Sequence, residues 1–166
     1  MTTSTAAPTG RIDRTPVKTV VITRVFDAPR ALVFEAWSKR EHLLRWFGPR
    51  GFTLPTCDID FRVGGALTVC MRSPDGEEFW SKGTFREIVV PERIVLESAL
   101  LDENGQPRFE DRNVISFAER DGKTVITVEA NIVKLYDPTA AGAIDGMDEG
   151  WNQTLDRLAA YLAVKH

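Results

Sequence analysis

The stretch MDEGWNQTLDRLAAYLA, residues Met147–Ala163, decides the fold that this 166-residue sequence predicts. Its apolar residues recur at steps of three or four, which places them on one stripe of an α-helix: Met147, Trp151, Leu155, Leu158 and Leu162. Upstream of about Lys134 the pattern is mostly that of strands and hairpins. A sheet that buries one face needs a partner layer, and this helix is the only long candidate. We therefore expect a curved antiparallel sheet closed over one long C-terminal helix.

Composition and charge indicate one globular domain in the cytoplasm. The first 16 residues, rich in Thr, Ala, Pro and Gly, predict a flexible tail without the apolar core of a secretory signal, so residues 17–166 are expected to form a single domain. The net charge of −3, with no basic run, argues against a nucleic-acid partner. No apolar run approaches the roughly 18 residues of a membrane span. Two cysteines without an export signal predict reduced thiols.

The predicted elements follow the order β-αα-β6-α, with about seven strands. A first strand over 17–26 leads into two short helices, one starting near Asp27-Ala28-Pro29 and one covering about 39–46. The other strands are expected at 53–61, 66–72, 78–89, 93–101, 113–119 and 124–135. The polar segment 102–108 predicts an exposed loop, with Phe109 as its hydrophobic tip. Asp137-Pro138 offers a helix start, and Gly142, Gly146 and Gly150 predict a break before Met147.

The hairpin around Arg62-Val63-Gly64-Gly65 has a register that the hydrophobic pattern constrains. A two-residue turn would place carboxylates on the apolar face of the strands. A three-residue loop instead pairs Ile59 with Val69 and Phe61 with Leu67, so we predict that loop. Cys57 and Cys70 then point to opposite faces and cannot form a disulfide.

Several local motifs accompany this order of elements. They are RVFDAP at 24–29, VFEAW at 33–37, WFGP at 46–49, DFRVGG at 60–65, GTFREI at 83–88 with PER at 91–93, and GW at 150–151 before LDRL at 155–158. With them the sequence resembles the START-like (SRPBCC) superfamily, and in particular the branch named after the activator of Hsp90 ATPase homologue 1. The resemblance implies an α+β helix-grip fold, in which an antiparallel sheet wraps round the terminal helix and encloses an apolar cavity.

The resemblance also implies a function class, since members bind lipids, hormones, polyketides or other small hydrophobic molecules and some are cyclases. The first hypothesis is therefore binding of a small hydrophobic ligand, of lipid, polyketide or aromatic-metabolite type. A cyclase-type enzyme acting in the same cavity is the alternative, because catalysis by positioning needs no triad. A chaperone-interacting module is the third. The namesake co-chaperone uses a separate N-terminal domain where this sequence has about 16 residues, so an Hsp90-type partner is not expected. Whether the protein forms a homodimer is left undecided by the sequence.

The candidate ligand-binding residues are aromatic and sulfur-containing side chains that could form the cavity wall: Trp46, Phe47, Phe61, Met71, Trp80, Phe85 and Trp151. The competing interpretation is that these side chains simply fill the core. The two interpretations are balanced for Trp46, Phe47 and Trp151, whereas core packing is favoured for Phe85. Trp37 is expected to pack rather than to line the cavity.

Catalytic and metal-binding patterns are weak in this sequence, and neither a metal nor an organic cofactor is expected. His42 and His166 are the only histidines, and neither has ligand spacing. His42 is predicted to be exposed and inert, with a general base at the cavity mouth as its functional alternative.

The remaining candidates are carboxylates and thiols. Cys57 and Cys70 are expected to be buried, inert thiols. Asp58 and Asp60 are predicted to face away from the apolar side, and Arg62 could pair with Asp60. Glu87 could be a buried polar anchor.

Overall fold

The computed structural model describes residues 17–164, so the predicted tail at 1–16 and the last two residues lie outside the described part. The elements occur in the predicted order. They are β1 (Lys18–Phe26), α1 (Arg30–Ala36), α2 (Arg40–Trp46), β2 (Thr53–Ile59), β3 (Ala66–Arg72), β4 (Glu78–Val89), β5 (Arg93–Leu101), β6 (Pro107–Arg120), β7 (Lys123–Leu135), a 3-10 turn (Pro138–Ala140), α3 (Ala141–Asp145) and α4 (Met147–Ala163).

The strands form one seven-stranded antiparallel sheet in the order β1-β7-β6-β5-β4-β3-β2. Neighbouring strands in the sheet are consecutive in the chain, with one exception. The edge strand β1 pairs with β7. The sheet curves round α4, and α1 and α2 connect the two edge strands. This is the predicted α+β helix-grip architecture.

Helix α4 packs its apolar stripe against the sheet. Leu155 and Leu158 are fully buried in the main core, and Met147, Trp151 and Leu162 pack against that core while partly buried. Burying a leucine side chain fully contributes roughly 1.5–3 kcal/mol, so this stripe is a main link between the layers. Within the described chain, none of the helices has the length and apolar character that a membrane crossing demands.

The segment before α4 is broken as predicted. The Asp137 side chain accepts a hydrogen bond from the Thr139 main-chain N–H at 3.0 Å and so caps the turn at Pro138. Hydrogen bonds from Thr139 and Arg108 lower the pKa of Asp137 below its ordinary value. The helix that follows ends at Asp145, and Gly146 separates it from α4.

The predicted register of the β2–β3 hairpin is wrong by two residues. Ile59 pairs with Leu67 and Cys57 pairs with Val69, and residues 60–65 form a longer connection. That connection leaves the hairpin to bond with β4, since the Gly64 N–H donates to the Phe85 carbonyl and the Phe85 N–H donates to Gly65. A shift of two keeps every side chain on its face. Both cysteines are therefore still buried, free and on opposite faces.

Strand β6 begins at Pro107, six residues earlier than the predicted start at Asn113. Phe109 is consequently not an exposed tip. It is 7% exposed and pairs with Leu100 on β5 and Leu135 on β7. The earlier start of β6 adds Phe109 and Asp111 to the side chains available on the inner face of the sheet.

Candidate functional site

A pocket of about 210 Å³ lies between the concave face of the sheet and α4. Alternation along β3 to β6 directs every second side chain into it, and α4 covers it with Met147 and Trp151. Most of its lining is apolar, and the main contributors are Leu67, Val69, Phe85, Leu96, Phe109 and Ile115. We call this space the inner pocket.

A second space of about 370 Å³, the outer pocket, adjoins it at the end of the sheet near α3. Its rim comprises the loop after α2, with Gly48, Pro49 and Phe52, and the glycines Gly142 and Gly146 before α4. The two pockets share lining residues: Phe47, Met71, Leu100, Phe109, Met147 and Trp151. The outer pocket is therefore positioned as the approach to the inner one.

Four of the seven predicted wall residues line these pockets. Phe47, Met71 and Trp151 border both, and Phe85 borders the inner pocket. Phe85 is also almost fully buried, so the core packing expected for it and a position on the pocket wall are both found.

The other three predicted wall residues lie elsewhere. Trp46 is fully buried in the core, and its indole N–H donates to the Ala36 carbonyl at 3.0 Å. Phe61 packs between the rings of Phe34 and Phe85, at centroid distances of 5.9 and 5.1 Å. Trp80 is 40% exposed beside Leu101 and Arg108, on the outer face of the sheet. The prediction for Trp80 is wrong because its position in β4 alternates out of phase with Phe85.

Trp37, which was expected only to pack, borders the inner pocket. Its ring lies nearly parallel to that of Trp151, with centroids 6.3 Å apart and 19° between the planes. Its indole Nε1 is buried and has no acceptor anywhere in residues 17–164. A buried donor without a partner costs about 1–3 kcal/mol.

A polar cluster that sequence reasoning missed interrupts the apolar wall. Ser98 on β5 and Asp111 and Asn113 on β6 all line the inner pocket. The Ser98 hydroxyl donates to Asp111 Oδ1, and Asn113 Nδ2 donates to the same oxygen at 3.0 Å. A main-chain hydrogen bond from Ser98 also reaches the carboxyl group. The cluster therefore fixes the orientation of the Asp111 carboxyl on the pocket wall.

Burial raises the pKa of Asp111 to about 6, against an ordinary value of 3.8. The hydrogen bonds from Ser98 and Asn113 lower the pKa, but the loss of hydration outweighs them because it penalises the charged form. A carboxyl group with such a shift in an apolar pocket is a candidate for a functional group. Among residues 17–164, Asp111 is the only acidic or basic residue that lines the inner pocket.

Gly83 on β4 lies opposite Ser98 in the same wall. A Cβ atom at this position would lie 2.7 Å from Ser98 Cβ and 2.9 Å from the Glu97 carbonyl oxygen. No ordinary contact is that short, so only glycine lets β4 and β5 approach with Ser98 in place.

The rim loop after α2 is held by Arg157 of α4. Its guanidinium donates to the carbonyls of Gly48 and Pro49 at 3.1 Å and of Phe52 at 3.2 Å. Partial burial lowers the pKa of Arg157 from its ordinary value. All three bonds come from Nη1, and the second terminal nitrogen, Nη2, lies 3.5 Å from the Arg45 carbonyl oxygen, so the guanidinium serves two segments where a lysine has only one nitrogen.

The remaining predicted polar candidates lie outside the pocket. His42 is not exposed as expected, since it is partly buried and its Nδ1 lies 2.5 Å from the Tyr161 hydroxyl, which links α2 to α4. Glu87 is not a buried anchor, because it pairs with Arg93 at 3.1 Å on the surface. Asp60 pairs with Arg62 at 3.0 Å, as predicted.

The two thiols are buried, and burial raises the pKa of both Cys57 and Cys70. A raised pKa reduces the thiolate fraction, which is the reactive form. Within the described residues, no three potential ligand side chains are grouped as a metal site would require.

The fold and the pocket define a domain of the START-like helix-grip class. A model of the family described as activator of Hsp90 ATPase homolog 1-like protein matches residues 27–163. The chain therefore belongs to that family. Membership supports a ligand-binding or chaperone-related domain in general.

Solved structures of similar proteins agree with this assignment. A protein from Nitrosomonas europaea is 27% identical, with a TM-score of 0.70 over 87% of this chain and 94% of that one. A Mycobacterium smegmatis protein is 26% identical, with a TM-score of 0.75 over 89% and 92%. A family member from Silicibacter pomeroyi, 24% identical with a TM-score of 0.75 over 90% and 100%, supports the fold. No curated protein matches the chain.

Proposed function

We propose that this protein binds a small, mostly apolar molecule in the inner pocket, with the outer pocket as its approach. The observation that carries the proposal is an apolar space between sheet and helix with one oriented polar cluster on its wall. Ligand sites commonly combine these two properties, since apolar walls supply affinity and a few polar groups fix orientation.

The size of the inner pocket limits the part of the ligand that it can enclose. An engineered protein cavity of about 150 Å³ binds benzene. At about 210 Å³, the inner pocket has room for one ring with a short substituent. A longer molecule would extend past Phe109 and Met147 into the outer pocket.

Native mass spectrometry of the freshly purified protein tests this function. We expect an extra mass of small-molecule size that denaturation releases. Trp151→Ala should lose or weaken retention of that mass, because Trp151 borders both pockets. Trp80→Ala is the matched control, since it removes an indole from the outer face and should retain the mass. A bare mass, together with failure of added aromatic compounds to bind, would contradict the proposal.

A cyclase-type enzyme is the second candidate, and Asp111 is the observation that favours it. A carboxyl with a pKa of about 6 exchanges protons near neutral pH, which suits a general acid or base in a pocket that positions its substrate. Conversion of a bound molecule by the wild-type protein, lost in Asp111→Asn with binding retained, would support this candidate. Release of the bound molecule unchanged by both proteins would argue against it.

A further inference from the structure

We propose that the ligand is an organic cation, a small apolar amine whose ammonium group pairs with Asp111 in the inner pocket. This inference rests on the proposed function and names the chemical class of the ligand. It is carried by the geometry and charge of the pocket wall.

None of the described residues that line the inner pocket offers Asp111 a cationic partner. The strand alternation directs the charged side chains of the neighbouring strands to the opposite face of the sheet, where they line a groove that Ser98 and Asp111 also border: Lys82, Arg86, Glu97, Glu110 and Arg112. Two of them are already paired, since Arg86 and Arg112 lie 2.8 and 3.8 Å from Glu97. Helix α4 contributes only Met147 and Trp151 to the inner pocket. An ionised Asp111 therefore faces an apolar space without a counter-ion, which is costly unless a cation enters that space.

The hydrogen bonds of the cluster favour a donor on the ligand. The Ser98 and Asn113 side chains both donate to Oδ1, and a main-chain hydrogen bond from Ser98 also reaches the carboxyl group. A carboxylate accepts several hydrogen bonds and, when ionised, donates none. An ammonium group supplies three donors and the missing positive charge, and hydrogen bonds between charged groups are the stronger ones.

The aromatic walls favour the same ligand class. Trp37 and Trp151 lie nearly parallel beside the pocket, and Phe47, Phe85 and Phe109 are among its other lining residues. The faces of aromatic rings attract cations, and such a contact is worth more when it is shielded from water. The same rings would pack against an aryl group on the ligand. The negative charge of Asp111 would repel an anionic ligand. A neutral ligand would leave that charge without a counter-ion.

Calorimetric titration of the full chain with three matched compounds tests the inference. The compounds are 2-phenylethylamine, neutral 2-phenylethanol and the anion 3-phenylpropanoate. We expect the amine to bind about tenfold or more tightly than the alcohol near neutral pH, as a charge-assisted pair implies, and the anion to bind weakest. Asp111→Asn should abolish this preference and leave the alcohol affinity within about threefold. Glu97→Gln, which removes an acid from the outer face, should keep the preference.

A pH series gives a second readout, and it uses the wild-type protein alone, so it does not depend on whether a variant folds. The preference for the amine should fall as the pH drops below the pKa of Asp111, and the alcohol should show no such change.

The outcomes separate the two proposals. Equal or tighter binding of the alcohol by the wild-type protein would overturn the amine inference and leave ligand binding intact. A preference for the amine that survives in Asp111→Asn would also overturn it. Failure of all three compounds to bind would overturn the inference, and the native mass measurement would then decide the proposed function by itself.

Discussion

Trp37 and Trp46 are in edge-to-face contact, with ring centroids 4.8 Å apart, yet only one of their two indole N–H groups has a partner. Trp46 donates to the Ala36 carbonyl, whereas Trp37 Nε1 is buried without an acceptor among the described residues. The two side chains are both almost fully buried. They therefore form a natural comparison between an indole that is hydrogen-bonded in the core and one that borders the inner pocket.

Replacing each tryptophan by phenylalanine should give unequal losses of stability. Trp46→Phe loses a hydrogen bond and leaves the Ala36 carbonyl with one partner fewer, whereas Trp37→Phe removes a donor that had no partner. We expect Trp46→Phe to lower the free energy of unfolding by about 1–2 kcal/mol more than Trp37→Phe. Urea denaturation of both variants measures the difference. A larger loss in Trp37→Phe would mean that its N–H is satisfied in solution.

The buried carboxyl of Asp111 should make stability depend on pH. Its folded-state pKa of about 6 lies above the ordinary 3.8, so the folded protein retains this proton to a higher pH than the unfolded chain. The stabilising contribution is complete below about pH 3.8 and disappears as the pH rises through 6. At about 1.4 kcal/mol per pKa unit, the loss is at most roughly 3 kcal/mol.

Asp111→Asn isolates this effect from the titration of all other groups. The free energy of unfolding of the wild type minus that of the variant should fall between about pH 4 and about pH 7, and then level off. Urea titrations at a series of pH values provide both quantities. A difference that is constant, or that rises with pH, would show that the pKa of Asp111 is not raised in the folded state.

A side chain at Gly83 should disturb the pocket wall. Because a Cβ would lie 2.7 Å from Ser98 Cβ and 2.9 Å from a main-chain oxygen of Glu97, Gly83→Ala should force β4 and β5 apart. We expect a loss of about 1–3 kcal/mol in the free energy of unfolding. Gly142→Ala is the matched control, since that helical glycine has open space at its Cβ position. This variant should raise the free energy of unfolding by up to about 1 kcal/mol. Thermal and urea denaturation distinguish the two, and equal responses would contradict the steric argument.

Much of the fold could be predicted from periodicity. Alternation gave β3, β4 and β5 their observed bounds, and the helical stripe gave α4 its observed bounds. The β2–β3 register could not be predicted, because a shift of two residues preserves both faces and hydrophobicity alone does not distinguish the two pairings. The contact of the 60–65 connection with Phe85, which sets the register, is a tertiary interaction.

The candidate site was only partly predictable, although a signal existed. Trp80 and Phe85 are five residues apart, so a regular strand cannot direct both to the same face. Extending the alternation of Ile115 and Phe117 backwards would have placed Asp111 on the inner face. The polar and proline-containing segment before Asn113 concealed this, because its composition is that of a loop.

The rim loop after α2 should depend on Arg157 in particular. Its Nη1 nitrogen reaches three carbonyls of that loop, and a lysine side chain ends one atom nearer the main chain and so would not reach them equally well. Arg157→Lys should lower the free energy of unfolding by about 1–3 kcal/mol and should speed hydrogen exchange at the amides of Arg50 and Phe52. Arg24→Lys is the control, because Arg24 pairs with Asp156 at an exposed site where ion pairs contribute about 0–1 kcal/mol. If exchange in the loop stayed at the wild-type rate in Arg157→Lys, the loop would be held by its own turn and by the contact of Arg50 with Gln153 rather than by Arg157.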